Sequence, residues 1–338
     1  MIQARDVPPR VTVAIPVYNS AATLARCINS ATSQTMRDIE IIVVDDCSTD
    51  ESATVAELLA LEDRRIKLIR LPQNRGKPAV MNTITAVARG EWIAVLDADD
   101  AFRPDRLERL VGAAEARGVE MVADNLFYID AGVGRVIRTA FNSKTPARVL
   151  TMPDFVEAAS VYAEFDFGIL KPIVRRAFIE ASGISYYEHT RLAEDFYYLL
   201  SFFAAGGRAL LVSTPLYEWT LPFGTVSRQW TATGAGPWRY DYRPALRANE
   251  HFIADMRAKG RMDVVAMLTT RSREYRAMIF YLGAQRFAAE GHWMRCFREI
   301  LVHPAAYRLL VSRVAGRGRR AAQGAFNQLA QQPAEQLL

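Results

Sequence analysis

The first 130 residues alternate between short apolar runs and amphipathic segments, and this alternation constrains the fold more than any other feature. The runs at 11–17, 39–46, 65–71 and 91–97 are continuous in β-branched and aliphatic residues. Continuous runs predict strands that are buried on both faces. The segments between them, 21–34, 51–62 and 77–89, have helical spacing. This order predicts an α/β fold with a doubly wound, mostly parallel, Rossmann-like sheet.

The pattern changes after about residue 130. Two strands around the turn "DAGVG" are predicted, followed by a short strand within 167–176, a helix over 191–205 and a strand over 208–214. Helices are predicted at 243–259, 262–290 and 293–302, then a basic terminal helix. We therefore expect one α/β domain over 1–235, divided near residue 130, and a mainly helical extension over 236–338.

Composition narrows the classes of protein that remain. The 338 residues are 50% apolar, enough for a sizeable core, and a net charge of +5 is too small for a dedicated nucleic-acid binder. Three distant cysteines fit neither a disulfide framework nor a zinc site and favour a reducing cytosol. The chain opens directly into a strand, so we expect no secretory leader. The basic segment 308–320 is either a solvated helix face or a contact for anionic lipid.

Three carboxylates crowd the end of the fourth apolar run, in "EWIAVLDADD". Like charges repel, so we expect a positive charge to offset them. Asp97 and Asp99 have the spacing of oxygen ligands for Mg²⁺ or Mn²⁺, which are commonly held by one or two carboxylates and phosphate oxygens. Asp100 has a plainer explanation, because it could cap the helix that opens at "RPDRLERL".

The other strand ends are polar as well. Asp45 and Asp46 end the second run and could accept a hydrogen bond from a nucleobase. Ser48 or Asp50 could cap the next helix, and capping alone would explain Asp50 but not the Asp45–Asp46 pair. Arg75 and Lys77 precede a helix whose N-terminus would favour a phosphate. A solvated loop would explain either cation alone, and the segment lacks the full Walker pattern.

Glu194 and Asp195 open the apolar segment "EDFYYLLSFF". The helix macrodipole ordinarily explains acids in a first turn. Downstream of a metal-type site, however, a general base is needed, and this pair can supply one. His189 is a competing candidate, although a lone histidine is more often structural.

Five blocks in order resemble the inverting family 2 glycosyltransferases of GT-A fold. They are "VAIPVYNSAATLARCINSATSQT", "IEIIVVDDCSTDES", "NRGKPAVMNT", "ARGEWIAVLDADDAFRPDRLERL" and "AEDF". The segments "DFGILKPIVRRAF" and "AEDFYYLLSFFAAGGRALLVSTPLYEWT" are also similar to glucosyltransferases of succinoglycan-type exopolysaccharide assembly.

The resemblance implies roles for individual residues. Asp195 would be the catalytic base with Glu194 beside it, Asp99 would ligate Mg²⁺ or Mn²⁺, and Asp97 would approach the metal or the ribose. Side chains implied in nucleotide binding are Pro16, Val17, Tyr18, Asp45, Asp46, Arg75, Lys77 and Asp97. Asp166, Trp219 and Arg228 are weaker candidates for sugar or acceptor contact. Many relatives have a histidine after the last core strand, where this chain offers only Ser227 or Arg228.

The implied reaction moves a sugar, expected to be glucose, from a UDP-sugar to a hydroxyl of a lipid-linked (polyprenyl diphosphate) oligosaccharide. A metal-assisted single displacement would invert the anomeric centre. The expected location is cytoplasmic, peripheral on the inner face of the plasma membrane, with an anionic membrane surface as partner, a homodimer as a further possibility and no nucleic acid.

Two other functions fit parts of the sequence. A nucleotidyltransferase would need a basic phosphate loop after the first strand, where this chain has "PVYNSAAT". A non-catalytic assembly or docking protein could keep the fold, but it would have no use for a costly cluster of acids.

Overall fold

The structure is a computed structural model that describes residues 8–159, 166–188, 190, 193–221, 242–295 and 298. The chain divides into two compact units, Met1–Gly234 and Ala235–Leu338. The first unit holds every described strand and all but two of the described α-helices.

The first unit is built around one sheet in the order β3-β2-β1-β4-β9-β6-β10-β5, with β7 beside β6 and β8 beside β10. Its ten strands are β1 (Val11–Val17), β2 (Ile39–Asp45), β3 (Ile66–Arg70), β4 (Trp92–Val95), β5 (Ala101–Phe102), β6 (Met121–Asp130), β7 (Val136–Thr139), β8 (Ala147–Leu150), β9 (Ile173–Arg175) and β10 (Ala209–Leu221).

The strands that carry most of the sheet all run in one direction. The strands β1 to β4 pair in parallel, and β6 pairs in parallel with β10. The short strand β9 lies between the two parallel groups and is antiparallel to both β4 and β6. The two groups therefore run in the same direction. The predicted mostly parallel sheet is confirmed, and the antiparallel additions are the short strands β5, β7, β8 and β9.

Helices cover the sheet as the apolar pattern requires. The central strands β1 and β2 are almost wholly buried, because helices lie against them and supply their own apolar faces. The α-helices of this unit are α1 (Ala21–Thr32), α2 (Ser52–Glu62), α3 (Lys77–Val87), α4 (Arg106–Arg117), α5 (Met152–Ala158), α6 (Arg176–Ser182) and α7 (Glu194–Ala204). A short 3-10 helix spans Phe167–Ile169.

Most predicted elements are confirmed within a few residues. The last strand is longer than the predicted 208–214, because irregular pairing around Pro215 lets β10 continue to Leu221 beside β6. The elements β5, β8, α5 and α6 are two to seven residues long and were not predicted, since short segments leave little periodicity to detect.

The second unit contains α8 (Arg243–Ala258) and α9 (Met262–Ala289), close to the predicted helices. No described helix has the length and apolar character needed to span a membrane. The basic segment 308–320, most of the helix predicted at 293–302 and the candidate residues His189, Ser227 and Arg228 lie outside the described residues.

Candidate active site

The predicted acids meet at the carboxyl edge of the sheet. Asp97 follows β4, and Asp195 lies in the first turn of α7, almost 100 residues later. Two lysines join them. Lys77 Nζ lies 2.9 Å from Asp97 Oδ1 and 3.1 Å from Asp195 Oδ2. Lys171 Nζ lies 2.9 Å from Asp97 Oδ2 and 2.6 Å from Asp195 Oδ2.

These four side chains, Lys77, Asp97, Lys171 and Asp195, form what we call the ion-pair cluster. Burial alone would raise the pKa of Asp97, but Lys171 and Lys77 outweigh burial and hold that pKa well below its usual range. Burial opposes the charged form of both lysines, whereas Asp195 and Asp97 reverse this and raise the pKa of each ammonium group. The positive charge expected beside the crowded carboxylates is therefore supplied by two lysines.

One oxygen of Asp195 remains open. Both ion pairs of this carboxylate use Oδ2, and the buried Oδ1 has no hydrogen-bond partner among the described residues. Glu194 lies beside it, 4.0 Å from Lys77 Nζ, and burial together with Asp195 raises the pKa of Glu194. The pair is therefore asymmetric, with Asp195 held by two cations and Glu194 by one distant cation.

The start of α7 is held in place from two sides. Ala193, just before the helix, has a φ of 60°, in the left-handed region that costs a non-glycine residue about 1–2 kcal/mol. The next turn is fixed by packing, since Phe196 stacks on Phe155 with ring centroids 5.3 Å apart. A Cβ on Gly168 would lie 3.0 Å from Phe196 Cβ, so only glycine permits this close approach.

Lys171 is the site residue that the sequence prediction missed. It is 7% exposed and follows the 3-10 helix. Its carbonyl oxygen accepts a 2.5 Å hydrogen bond from Arg106 Nη2, and that wholly buried guanidinium pairs with Asp124 at 2.7 Å. The available signal was a lysine inside the apolar run "GILKPIV", because a buried cation requires a partner.

Asp100 does not cap the following helix, and that alternative is wrong. The residue before α4 is Asp105, whose side chain makes no capping hydrogen bond. Instead, Asp100 Oδ2 accepts from the Tyr217 hydroxyl at 2.8 Å, and Oδ1 accepts from Thr220 N at 2.9 Å. The Tyr217 oxygen in turn accepts from Asp97 N at 3.2 Å. Asp100 therefore fastens the acidic turn to β10.

Asp99 is the carboxylate that fits a divalent cation. Within the described part of the chain its carboxylate has no hydrogen bond or ion pair with another residue, and burial together with Asp97 raises its pKa. A bound cation would reverse that effect. Both Asp97 oxygens lie within 3 Å of an ammonium group. No group of three or more acid, histidine or cysteine ligands occurs among the described residues, so a cation here would also need oxygens from its substrate.

The residues predicted for nucleotide binding surround the ends of β1 and β2. Asp46 Oδ1 and Oδ2 accept from the backbone N–H groups of Arg75 and Gly76, at 2.7 and 2.8 Å. Asp45 Oδ2 accepts from Ser48 N, whereas its buried Oδ1 has no hydrogen-bond partner in the described segments. Asp46 thus shapes the loop, and Asp45 keeps an oxygen available.

The other nucleotide candidates lie nearby along the chain. Pro16 and Val17 end β1, Val17 is buried, and its carbonyl oxygen accepts from Asp46 N at 2.8 Å. Tyr18 follows and is partly exposed. The Arg75 guanidinium pairs with Glu188 at 3.0 Å. The N-cap of α2 is Glu51, without a side-chain capping hydrogen bond. Asp50, just before it, accepts from Ser52 N at the start of α2 and from Ala21 N at the start of α1.

The weaker sugar candidates are also placed. Trp219 in β10 stacks on Tyr128 in β6, with ring centroids 5.3 Å apart. Asp166 accepts a 2.7 Å hydrogen bond from Gly168 N, so one of its oxygens orders the turn before Lys171. Neither of these two contacts involves the ion-pair cluster.

The sequence of this chain is similar to a known protein family and to two proteins of exopolysaccharide biosynthesis. Residues 12–168 match the family described as Glycosyl transferase family 2. The succinoglycan biosynthesis protein ExoO of Rhizobium meliloti (strain 1021) is 41% identical over 228 residues, covering 67% of this chain and 64% of ExoO. ExoU of the same strain is 36% identical over 213 residues, covering 61% of this chain and 60% of ExoU. The chain therefore spans less than two thirds of the length of either relative.

Solved structures agree on the fold. S. aureus TarS 1-349 has a TM-score of 0.58 at 19% identity, covering 85% of this chain and 80% of that one. The mannosyltransferase PcManGT from Pyrobaculum calidifontis, in complex with GDP-Man and Mn²⁺, has a TM-score of 0.52 at 18% identity, covering 92% and 81%. A further TarS 1-349 structure is in complex with UDP-GlcNAc, with a TM-score of 0.57 at 19% identity, covering 82% and 73%.

Proposed function

Because residues 12–168 match the family described as Glycosyl transferase family 2, we propose that this chain transfers a sugar from a UDP-sugar to a hydroxyl of a lipid-linked oligosaccharide during exopolysaccharide assembly. The observation that carries the proposal is the ion-pair cluster, in which Lys77 and Lys171 bring Asp195 to Asp97. The similarity to ExoO and ExoU supports the exopolysaccharide context.

Asp195 is the general base of this proposal. Its Oδ2 is held by two ammonium groups, so Oδ1 is the oxygen that can take the proton of an acceptor hydroxyl. The deprotonated oxygen attacks the anomeric carbon from the face opposite the diphosphate. The C–O bond to the acceptor forms as the bond to the leaving UDP breaks, which inverts the configuration. UDP leaves as a stabilised anion, so no carboxylic acid is needed to protonate it.

The two lysines serve the leaving group. Their ammonium groups lie between Asp97 and Asp195, at the edge of the sheet where parallel α/β folds bind ligands. A diphosphate that reaches this edge can attract Lys77 or Lys171 away from Asp97. Positive groups placed where negative charge develops stabilise the transition state.

A divalent cation fits the charge of the site. Glu194, Asp97, Asp99 and Asp195 present four carboxyl groups against the two ammonium groups of Lys77 and Lys171. A nucleoside diphosphate would add further negative charge to this surplus. Mg²⁺ or Mn²⁺ held by Asp99 and the donor's phosphate oxygens would supply charge neutralisation to the leaving diphosphate.

The nucleotide half is proposed to hold uridine. Asp45 has a buried oxygen without a hydrogen-bond partner among the described residues, and this oxygen can accept from the uracil N–H, while Asp46 supports the adjoining loop. Pro16, Val17 and Tyr18 would line the base. Arg75 remains a candidate for the base or diphosphate side, although its guanidinium pairs with Glu188 in this structure.

The test is a screen of UDP-sugars, beginning with UDP-glucose, with membrane extract as the source of lipid-linked acceptor and released UDP as the readout. Asp195→Asn should reduce turnover about 10²–10⁴-fold, the usual contribution of a general base, while UDP still binds. The matched control is Asp263→Asn, which changes the first-turn acid of α9. Full activity of Asp195→Asn would contradict the assignment, and so would pyrophosphate release from a nucleoside triphosphate and a sugar phosphate.

A further inference from the structure

The β6–β7 hairpin presents unusual side chains to solvent. Val133 in its turn is 72% exposed, and Val136 and Ile137 in β7 are 39% and 50% exposed. Single exposed apolar residues are ordinary, but three within five positions form a patch. Among the described strands β7 pairs only with β6, so this patch lies on an edge of the sheet.

The same segment is positively charged. Residues 131–153 contain no aspartate or glutamate and four basic residues, Arg135, Arg138, Lys144 and Arg148. Arg135 and Arg138 belong to the hairpin and are exposed. The Arg138 guanidinium lies 4.2 Å from the centroid of the Tyr128 ring, which fixes its position. Arg148 is partly offset by Asp154 at 3.8 Å.

The hairpin lies at the edge of the sheet that carries the candidate active site. The strands β4 and β6 point in the same direction, so the turn after β6 and Asp97 after β4 belong to the same edge. Ala131 N donates a 2.7 Å hydrogen bond to Leu221 O, which fastens the turn to the end of β10. Whatever binds the hairpin is therefore brought to the active-site edge.

Charge and apolar character together select one partner class. An edge strand can pair with a second copy, but pairing of two β7 strands would bring Arg135 and Arg138 of both copies together. A soluble polyanion would satisfy the arginines and leave Val133, Val136 and Ile137 in water. An anionic lipid surface satisfies both, because apolar side chains enter the interface and basic ones meet the headgroups.

We propose that the β6–β7 hairpin docks this chain on an anionic lipid bilayer, with Val133, Val136 and Ile137 in the interface and Arg135 and Arg138 on the headgroups. The inference deepens the proposed function, because a transferase with a lipid-linked acceptor has to bring its active-site edge to the bilayer. It assigns that contact to the α/β unit.

The experiment is co-sedimentation of the full chain with lipid vesicles, in the absence of donor and acceptor. One set of vesicles is pure phosphatidylcholine, and in the other phosphatidylglycerol replaces part of it. The wild type should bind the anionic vesicles more tightly. The double variant Val136→Ser/Ile137→Ser should bind both kinds about tenfold more weakly, since two side chains no longer enter the interface. Arg135→Glu should lose at least about tenfold on anionic vesicles only.

The chain offers matched controls. Leu58→Ser/Leu61→Ser changes two side chains of α2 that are 58% and 85% exposed, and Arg117→Glu reverses an exposed charge in α4. Both should bind as the wild type does. Circular dichroism and thermal unfolding would show that each variant folds.

The proposal would be overturned if the hairpin variants bind vesicles as tightly as the wild type does. Two further measurements on the same variants identify other partners: molecular mass by sedimentation equilibrium and binding to heparin. The proposal would also be overturned by a hairpin variant that lowers only the molecular mass, or by one that lowers only heparin binding. A lower mass alone would indicate a second copy as partner, and lower heparin binding alone a soluble polyanion. Because these measurements involve no sugar transfer, their failure leaves the Asp195→Asn test unaffected.

Discussion

At the scale of single residues, Lys171 explains how two distant acids can lie together in a buried place. Asp97 and Asp195 would repel each other without an intervening cation, and Lys171 Nζ lies within 3 Å of both. Lys171 is fixed through its own backbone, because its carbonyl oxygen accepts from the buried Arg106. The lysine therefore does not depend on a flexible surface loop for its position.

Removing the Lys171 charge should impair transfer more than folding. We expect Lys171→Ala to lower turnover about 10²–10³-fold, the usual effect of losing one positioned charge donor, and Lys171→Arg to recover part of it. The measurement is UDP release under saturating donor. Lys259→Ala, an exposed lysine of the second unit, is the control and should have wild-type activity. Equal activity of Lys171→Ala and the control would exclude this role.

At the scale of elements, Glu40 shows how buried strands are tied together. Its carboxylate accepts from Thr12 Oγ1 in β1 at 2.7 Å, from Lys67 Nζ in β3 at 2.8 Å and from Arg89 N before β4 at 2.6 Å. One side chain of β2 thus contacts both neighbouring strands and the loop that leads to β4. This anchorage lies at the amino ends of β1 and β2, opposite to the carboxyl ends that carry Asp45 and Asp97.

Glu40 also gives a prediction of pH dependence. Burial raises its pKa, but the hydrogen bonds from Lys67, Arg89 N and Thr12 outweigh burial, so that the net pKa is lowered. A lowered folded-state pKa contributes stability above the unfolded-state value, and that contribution is lost as the pH falls through the folded-state pKa.

Glu40→Gln should therefore lower the free energy of unfolding by about 1.5–3 kcal/mol at neutral pH, the usual worth of hydrogen bonds to a charged group. The difference from wild type should shrink as the pH is lowered toward about 3, below the ordinary glutamate pKa of about 4.3. Urea unfolding at several pH values measures this difference in the free energy of unfolding. Glu57→Gln, in an exposed pair with Arg70, should change the free energy by less than about 0.5 kcal/mol at every pH, and an equal effect of both variants would argue against the anchor.

At the scale of the whole molecule, the α/β unit contains every residue of the candidate site that the structure describes, and the described part of the second unit contains α8 and α9. The family match ends at residue 168, before Lys171 and Asp195. Lys171 and Asp195 are therefore supplied by the chain between the end of that match and β10.

Ligand binding should appear as stabilisation of the folded chain. UDP with Mn²⁺ should raise the free energy of unfolding by about 2.7 kcal/mol at a hundredfold excess over its Kd, and UDP alone by less. Asp99→Asn should remove the part of this stabilisation that depends on Mn²⁺, because the carboxylate proposed to hold the cation is lost. Thermal unfolding with UDP, Mn²⁺, both or neither provides the measurement. Stabilisation by Mn²⁺ that is identical in Asp99→Asn and wild type would place the cation elsewhere.

Much of the fold follows from the sequence alone. The four apolar runs, their intervening helices and the polar residues at the strand ends depend on local periodicity, which is written into short segments. Local pattern also places Asp97, Asp99, Glu194 and Asp195 at the starts or ends of elements. The roles implied for them by the family resemblance remain predictions.

Other features were decided only by tertiary structure. Whether Asp100 capped a helix or anchored β10 depended on where Tyr217 and Thr220 came to lie, more than 100 residues away. The role of Lys171 depended on the position of β9 between β4 and β6. Lys171 comes just before β9 in the chain, so this placement brings Lys171 beside Asp97. Short-range patterns determine which segments become strands and helices, but the pairing of charges across the sheet depends on contacts between segments far apart in the chain. The sequence therefore identified the acids of this site and Lys77, and the fold added Lys171 and the ion pairs that hold the acids together.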